Sequence, residues 1–373
     1  MKKYLFMILT IAIVFASTSC KKEAVEETPL TKEKLKIGVV HISDPFSESA
    51  GYSYAHQLGI MEMKNKLHLK DNQILYKIHI DDANPLHAES AMRDFIAQGV
   101  HIIIATSWGY MDSCEKLAKE YPSIIFAHAS GYKYNDTNFT NYFGRVYQAR
   151  YLSGIVAGAQ TKTNKIGFVA AWGTENSEVT GGINAFAMGV KRVNPKAKVF
   201  VKVTHSWFDP MGEINAARSL INKGCDVIAQ HCDTSNPQIE AEKAGVWGIG
   251  YNTDMSIVAP KAVLTSVLFN WGTYYTSLVE SVINGTFTTT PWFGSLKDGI
   301  VGITPLNKNI SWKPDIINLL KEEQQLIESE SFDVFSGVIE TNDNRTIGKD
   351  GEKFSDDEIR NKINWYYRTV EQL

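Results

Sequence analysis

The sequence predicts an α/β protein of two lobes, each a mostly parallel sheet flanked by helices, hinged by short crossovers. Three observations predict it. Apolar strand-like runs alternate with segments of helical apolar spacing. The alternation proceeds through four strands and then restarts, so the chain holds two similar halves. No long linker separates the halves. Beyond the N-terminal segment the chain is long for one compact unit and suits two.

The first half opens with a strand, KLKIGVVHI (34–42), and a helix over 50–67 with apolar residues at helical spacing. A strand at 73–80 and a helix at 88–99, stopped by Gly99, follow. The third strand is VHIIIATS (100–107), and the next helix ends before Pro122. SIIFAHAS (123–130) is the fourth strand. The helix at 149–161 is apolar and rich in small residues, which suits close packing. Strands at 165–172, 197–206, 225–232 and 246–252 then alternate with helices at 180–195, 212–224 and 237–245. A strand at 262–270 and a helix at 271–285 follow. The C-terminal part reads as a strand or hairpin from 332 and a helix over 356–372.

The N-terminus has Lys2 and Lys3, an apolar run from Tyr4 to Ala16 that is too short to span a membrane, and small residues before Cys20. This is similar to a bacterial lipoprotein signal, with Cys20 lipidated, although Ser17 stands where Leu is usual. An ordinary secretory peptide cut nearby is the alternative, and either route leads out of the cytoplasm. Residues 21–34 are charged and nearly free of large apolar groups, as in a flexible tether. Removing residues 1–19 takes two lysines from a chain of formal charge −3. No basic face results, so nucleic acid is not an expected partner. Cys114, Cys225 and Cys232 match no zinc spacing. Cys225 and Cys232 are open to two readings, a disulfide or buried thiols.

Catalytic signatures are absent from the sequence: no G-x-S-x-G, no H-E-x-x-H, no phosphate loop with Gly-Lys-Ser/Thr. No metal or cofactor is expected. Asp81 and Asp82 are explained by a turn after a strand. What recurs is a polar or aromatic residue just past a strand. Strand one leads to Ser43, Asp44 and Tyr52, and strand three to Ser107, Trp108 and Asp112. The second half adds Trp172, Asn176, Glu178, Trp207, Asp209, His231, Asp233, Asn252 and Asp254. Carboxyl ends of parallel strands line one crevice. Singly, each residue has a plainer role, as packing, helix cap or turn. Together, aromatics with amides and carboxylates suit a flat ring with hydrogen-bonding edges.

These residues bring a family into view. GYSYAHQLG, ATSWGYMD, YFGRVYQARYLSGIVAGAQTKTNKIGFVAA, SWFDPMGEINAARSLINKGCDVIAQHCD and GIGYNTDMSIVAPKAVLTSV resemble the basic membrane protein family, and especially its purine-binding branch. The likeness spans roughly residues 36–370. It implies a two-lobed type I periplasmic-binding-protein fold with three crossovers and ligand at the hinge. It also implies a monomeric, lipid-anchored receptor delivering a purine nucleobase or nucleoside to an ABC permease driven by an ATPase. By the resemblance Tyr52 stacks on the base, where the purine-base branch usually has Trp, and Trp108 stands where that branch usually has Phe. Asp112 matches the carboxylate that reads the base. The family's GxDxD is GYNTD here, so Asn252 replaces the first Asp while Asp254 keeps the second, and Phe269 replaces a lysine. Both departures favour a free base over a nucleoside. The implied division is residues 1–19 as signal, 20–35 as tether, 36–158 with about 268–290 as lobe one, and 159–267 with about 291–373 as lobe two. Two other classes compete: a surface lipoprotein with an adhesive role, and a nucleoside hydrolase. The hydrolase would need an Asp cluster near strand one, where only Asp44 and Glu48 stand.

Overall fold

The computed structural model describes residues 30–47 and 49–373. The signal segment, Cys20, most of the tether and Glu48 lie outside the described residues. From Leu30 the chain is tied down: Gln73 Nε2 donates to the carbonyls of Lys32 (2.7 Å) and Leu35 (2.8 Å), and Leu35 is buried.

Two sheets form. The first holds β1 (Ile37–Val40), β2 (Ile74–Lys77), β3 (Ile102–Ala105), β4 (Ile125–Ala129) and β5 (Phe139–Gly144), with helices α1 (Tyr52–Lys66), α2 (Pro85–Ala97) and α3 (Met111–Glu120) between strands. The second holds β6 (Lys165–Ala170), β7 (Lys198–Val203), β8 (Val227–His231), β9 (Trp247–Asn252) and β10 (Val263–Phe269). Around it lie α4 (Val146–Gln160), α5 (Ser177–Val193), α6 (Pro210–Asn222) and α7 (Asn236–Ala244). After β10 come α8 (Trp271–Ile283), β11 (Trp292–Gly294), β12 (Val301–Ile303), α9 (Pro314–Glu328), a short hairpin of β13 (Ile339–Glu340) and β14 (Thr346–Ile347), α10 (Asp356–Asn361) and β15 (Val370–Gln372).

Strand orders are β11-β5-β4-β3-β1-β2 and β12-β10-β9-β8-β6-β7-β15. All pairings within them are parallel except β10 with β12. The expected two-lobed α/β architecture is therefore the observed one. Side chains alternate across each strand: Ile102 and Ile104 join one core, Ile103 and Ala105 another. The core holding Ile102 and Ile104 continues through the hinge into lobe two. The helix rich in small residues packs as expected, since a Cβ on Gly154 of α4 would overlap the Phe186 carbonyl of α5.

The chain crosses between sheets after β5, after β10 and between β11 and β12. β11 joins the first sheet, a few residues beyond the expected boundary, and α4 packs on α5 of the second lobe. The three crossings meet at Gly144. A Cβ there would lie 2.6 Å from Val301 Cγ1 and 2.8 Å from Phe269 Cε1, so only glycine lets them pass.

One element differs from its expectation. The helix expected over 356–372 stops at Asn361, and β15 then adds to β7. Asn184 holds the intervening chain by donating to the Trp365 carbonyl (2.7 Å) and accepting from Tyr367 N–H (2.8 Å). Burial of Trp365 and Tyr366 outweighs local helix propensity. Cys114, Cys225 and Cys232 are free and buried, which settles the thiol reading.

Candidate functional site

The carboxyl ends of both sheets face each other across a cleft. Strand ends β1, β3 and β4 bring Ile42, Ser107, Trp108 and Ser130, and Tyr52 opens α1. Strand ends β8 and β9 bring His231, Asp233 and Tyr251, joined by Glu178 from α5 and Trp207 after β7. The lobes touch here: Tyr52 N–H donates to the Asp233 carbonyl (3.3 Å), and Gly51 N–H to Thr253 Oγ1 (3.1 Å).

The first wall is a stacking surface. Trp108 follows β3 and stays 46% exposed. Its carbonyl lies 3.2 Å from His128 Nε2. Ser107 donates to Asp82 Oδ2 at 2.5 Å, so the turn carboxylate positions the strand end. Tyr52 meets His56 edge-on at 4.5 Å. From His56 an aromatic stack runs to Trp271 (4.3 Å) and Phe269 (4.5 Å), and so into the hinge.

The second wall is polar and internally bonded. His231 Nε2 lies 2.9 Å from Tyr251 Oη and 3.4 Å from Glu178 Oε1. Burial pushes the Glu178 carboxyl up to about 8, against a smaller opposing pull from Arg360 and Arg150. Burial, and then the Arg150 charge, holds the His231 ring well below its usual range. Near neutral pH the pair is thus a hydrogen-bonded acid and a neutral imidazole rather than an ion pair. Arg150 is fully buried, with its guanidinium 4.0 Å from the Tyr251 ring centroid.

Of the residues expected to bind ligand, Tyr52, Ser107, Trp108, Glu178 and Asp233 line this cleft. The others lie outside its lining. Asp112 is 72% exposed and paired with Lys133 at 2.8 Å. Asn176 caps α5 by accepting from Val179 N–H, and Asp254 accepts from Ser256 N–H. Trp172 packs edge-on against Trp207 at 6.3 Å. Asn252 is buried at φ +67, and Phe269 stacks in the hinge. Asp209 caps α6. Tyr251 and Ser130 went unread. Tyr251 precedes the residue whose positive φ turns the chain, which brings the tyrosine to the cleft. Among the described residues no cluster of three or more His, Cys, Asp or Glu could hold a metal, and no helix is long and apolar enough to cross a membrane.

The PnrA-like ABC transporter substrate-binding protein family matches residues 35–339. A purine-binding protein of Brucella abortus is 33% identical over 91% of this chain and 94% of its own length. A Haloferax volcanii protein designated an ABC transporter glucose-binding protein is 30% identical over 83% of this chain and 76% of its own. An ABC transporter solute-binding protein from Aeropyrum pernix superposes with a TM-score of 0.68 at 16% identity, over 80% of this chain and 92% of its own. A Bacillus halodurans transcriptional activator of the comK gene gives 0.66 at 18% identity, over 80% and 99%. These likenesses in structure are likenesses of fold. This chain belongs to the Bmp family of PnrA-like ABC transporter substrate-binding proteins, a binding protein and not an enzyme.

Proposed function

We propose that this receptor binds a purine nucleobase between its lobes, is anchored outside the cytoplasm by a lipid on Cys20, and hands its ligand to an ABC permease. The observation that carries the ligand reading is the pairing of walls: Tyr52 and Trp108 from one lobe face Trp207 and the bonded group of Glu178, His231 and Tyr251 from the other. A purine has a flat π face for the first and an edge of donors and acceptors for the second. No Lys or Arg lines the cleft among the described residues, which suits an uncharged ligand. The purine-binding Brucella relative supports the same reading. Asn252 and Phe269, which stand where the family has an Asp and a lysine, lie outside the lining of this cleft.

A sugar is the second reading, favoured by the Haloferax relative. Calorimetry separates the two: adenine or hypoxanthine binding that Trp108→Ala weakens supports the purine, whereas glucose binding without purine binding overturns it. For the anchor, intact-mass measurement of membrane-extracted protein should find an acylated Cys20, and Cys20→Ala should release the chain from membranes. An unmodified Cys20 on membrane-bound protein would contradict that part.

A further inference from the structure

A second chamber adjoins the cleft, and the two share Ser130 and Glu178 as a common rim. Its walls come from the hinge and the C-terminal segment: Phe143, Val146 and Tyr147 beside the first crossing, Phe293 of β11, and Ile359 of α10. Gly181 and Gly182 of α5 line it without side chains. A Cβ on Gly182 would approach His231 Nδ1 at 3.1 Å, so the helix sits close under the polar wall.

The chamber is chiefly apolar, and the one cation among its described lining residues is committed elsewhere. Arg360 lies over the Phe293 ring at 5.2 Å, and its Nη2 donates to Asn141 Oδ1 (2.9 Å) and to the Gly131 carbonyl. A cationic group would meet Arg360 here, and Arg360 is already bonded to Asn141 and Gly131 rather than free to hold an anion. A ribose would set its hydroxyls against Phe143, Val146 and Ile359.

We propose that this chamber holds an uncharged, chiefly apolar arm on the ligand ring, so that the preferred ligand is a substituted purine rather than the bare base. The inference rests on the purine reading of the cleft. It also gives the C-terminal segment, which lies beyond the family match, a part in choosing the ligand.

The test is calorimetric titration of the purified full chain with adenine, N6-benzyladenine and adenosine. The expected result is that N6-benzyladenine binds about tenfold or more tighter than adenine, as burial of an apolar arm should give. Ile359→Trp fills the chamber and should reduce that advantage to about threefold or less, leaving adenine affinity nearly unchanged. Ser177→Leu narrows the same chamber from α5 and provides the same reading if the first variant folds poorly. N6-benzyladenine binding no tighter than adenine overturns the inference while leaving the purine reading intact. So does adenosine gaining as much, or an advantage that neither variant reduces. If neither adenine nor its benzyl derivative binds, the purine reading itself has failed and the inference falls with it.

Discussion

The first lobe meets the cleft with Tyr52, Ser107 and Trp108, and leaves Trp108 46% exposed; the second meets it with Glu178, His231 and Tyr251, which bond to one another and are largely buried. The contrast separates two tasks. A flat exposed indole stacks on any aromatic face and so gives affinity with little selectivity. A buried polar group with fixed partners leaves few ways to satisfy a ligand, so it gives selectivity. A wrong edge leaves a buried donor or acceptor unmatched, which costs more than a lost contact.

That division can be broken from either side. The largest effect should come from the polar wall: Glu178→Ala should weaken ligand binding by about 3 kcal/mol, roughly 100-fold in Kd, by calorimetry. A change under about threefold would remove Glu178 from the account. At the hinge between the walls, Gly144→Ala should lower stability by about 1–3 kcal/mol in urea denaturation, because the new Cβ meets Val301 and Phe269. On the stacking wall, Trp108→Ala should cost about 1–2 kcal/mol of binding, while Trp108→Phe recovers most of it. Loss of discrimination among purines in Trp108→Ala would reverse the assigned roles.

The pH dependence of the ligand-free protein sharpens the same comparison. The Glu178 carboxyl is raised in the folded state from 4.5 to about 8. Between those values the folded chain holds a proton that the unfolded chain has lost. Its contribution to stability is full below about 4.5 and is lost as pH rises to about 8, at up to about 1.4 kcal/mol per pH unit. Glu178→Gln should flatten that slope in thermal melts, and an unchanged slope would contradict the assignment. The smallest effects should be at Asp112→Asn and Asp254→Asn, which alter an exposed ion pair and a turn contact and should change Kd by less than about twofold.

The fold was legible because strand and helix periods alternate cleanly, as in the isoleucine run of β3 whose side chains divide between two cores. Half of the cleft was legible for the same reason, since Ser107, Trp108 and Asp233 follow strands directly. The rest depended on local turns that the pattern does not reveal. Asp112 sits one residue into α3, where the helix aims it at Lys133. Asn252 takes a positive φ and is buried, while its neighbour Tyr251 lines the cleft. The reading of a long C-terminal helix hid Ile359, because the tertiary capture of Trp365 and Tyr367 by Asn184 ends the helix after two turns at most.

The most direct test is a thermal-shift panel of the full chain against adenine, hypoxanthine, guanine, the matching nucleosides and glucose. A ligand at 100 times its Kd should stabilise by about 2.7 kcal/mol. The account predicts shifts with free purines and none with glucose; a shift with glucose alone would contradict it.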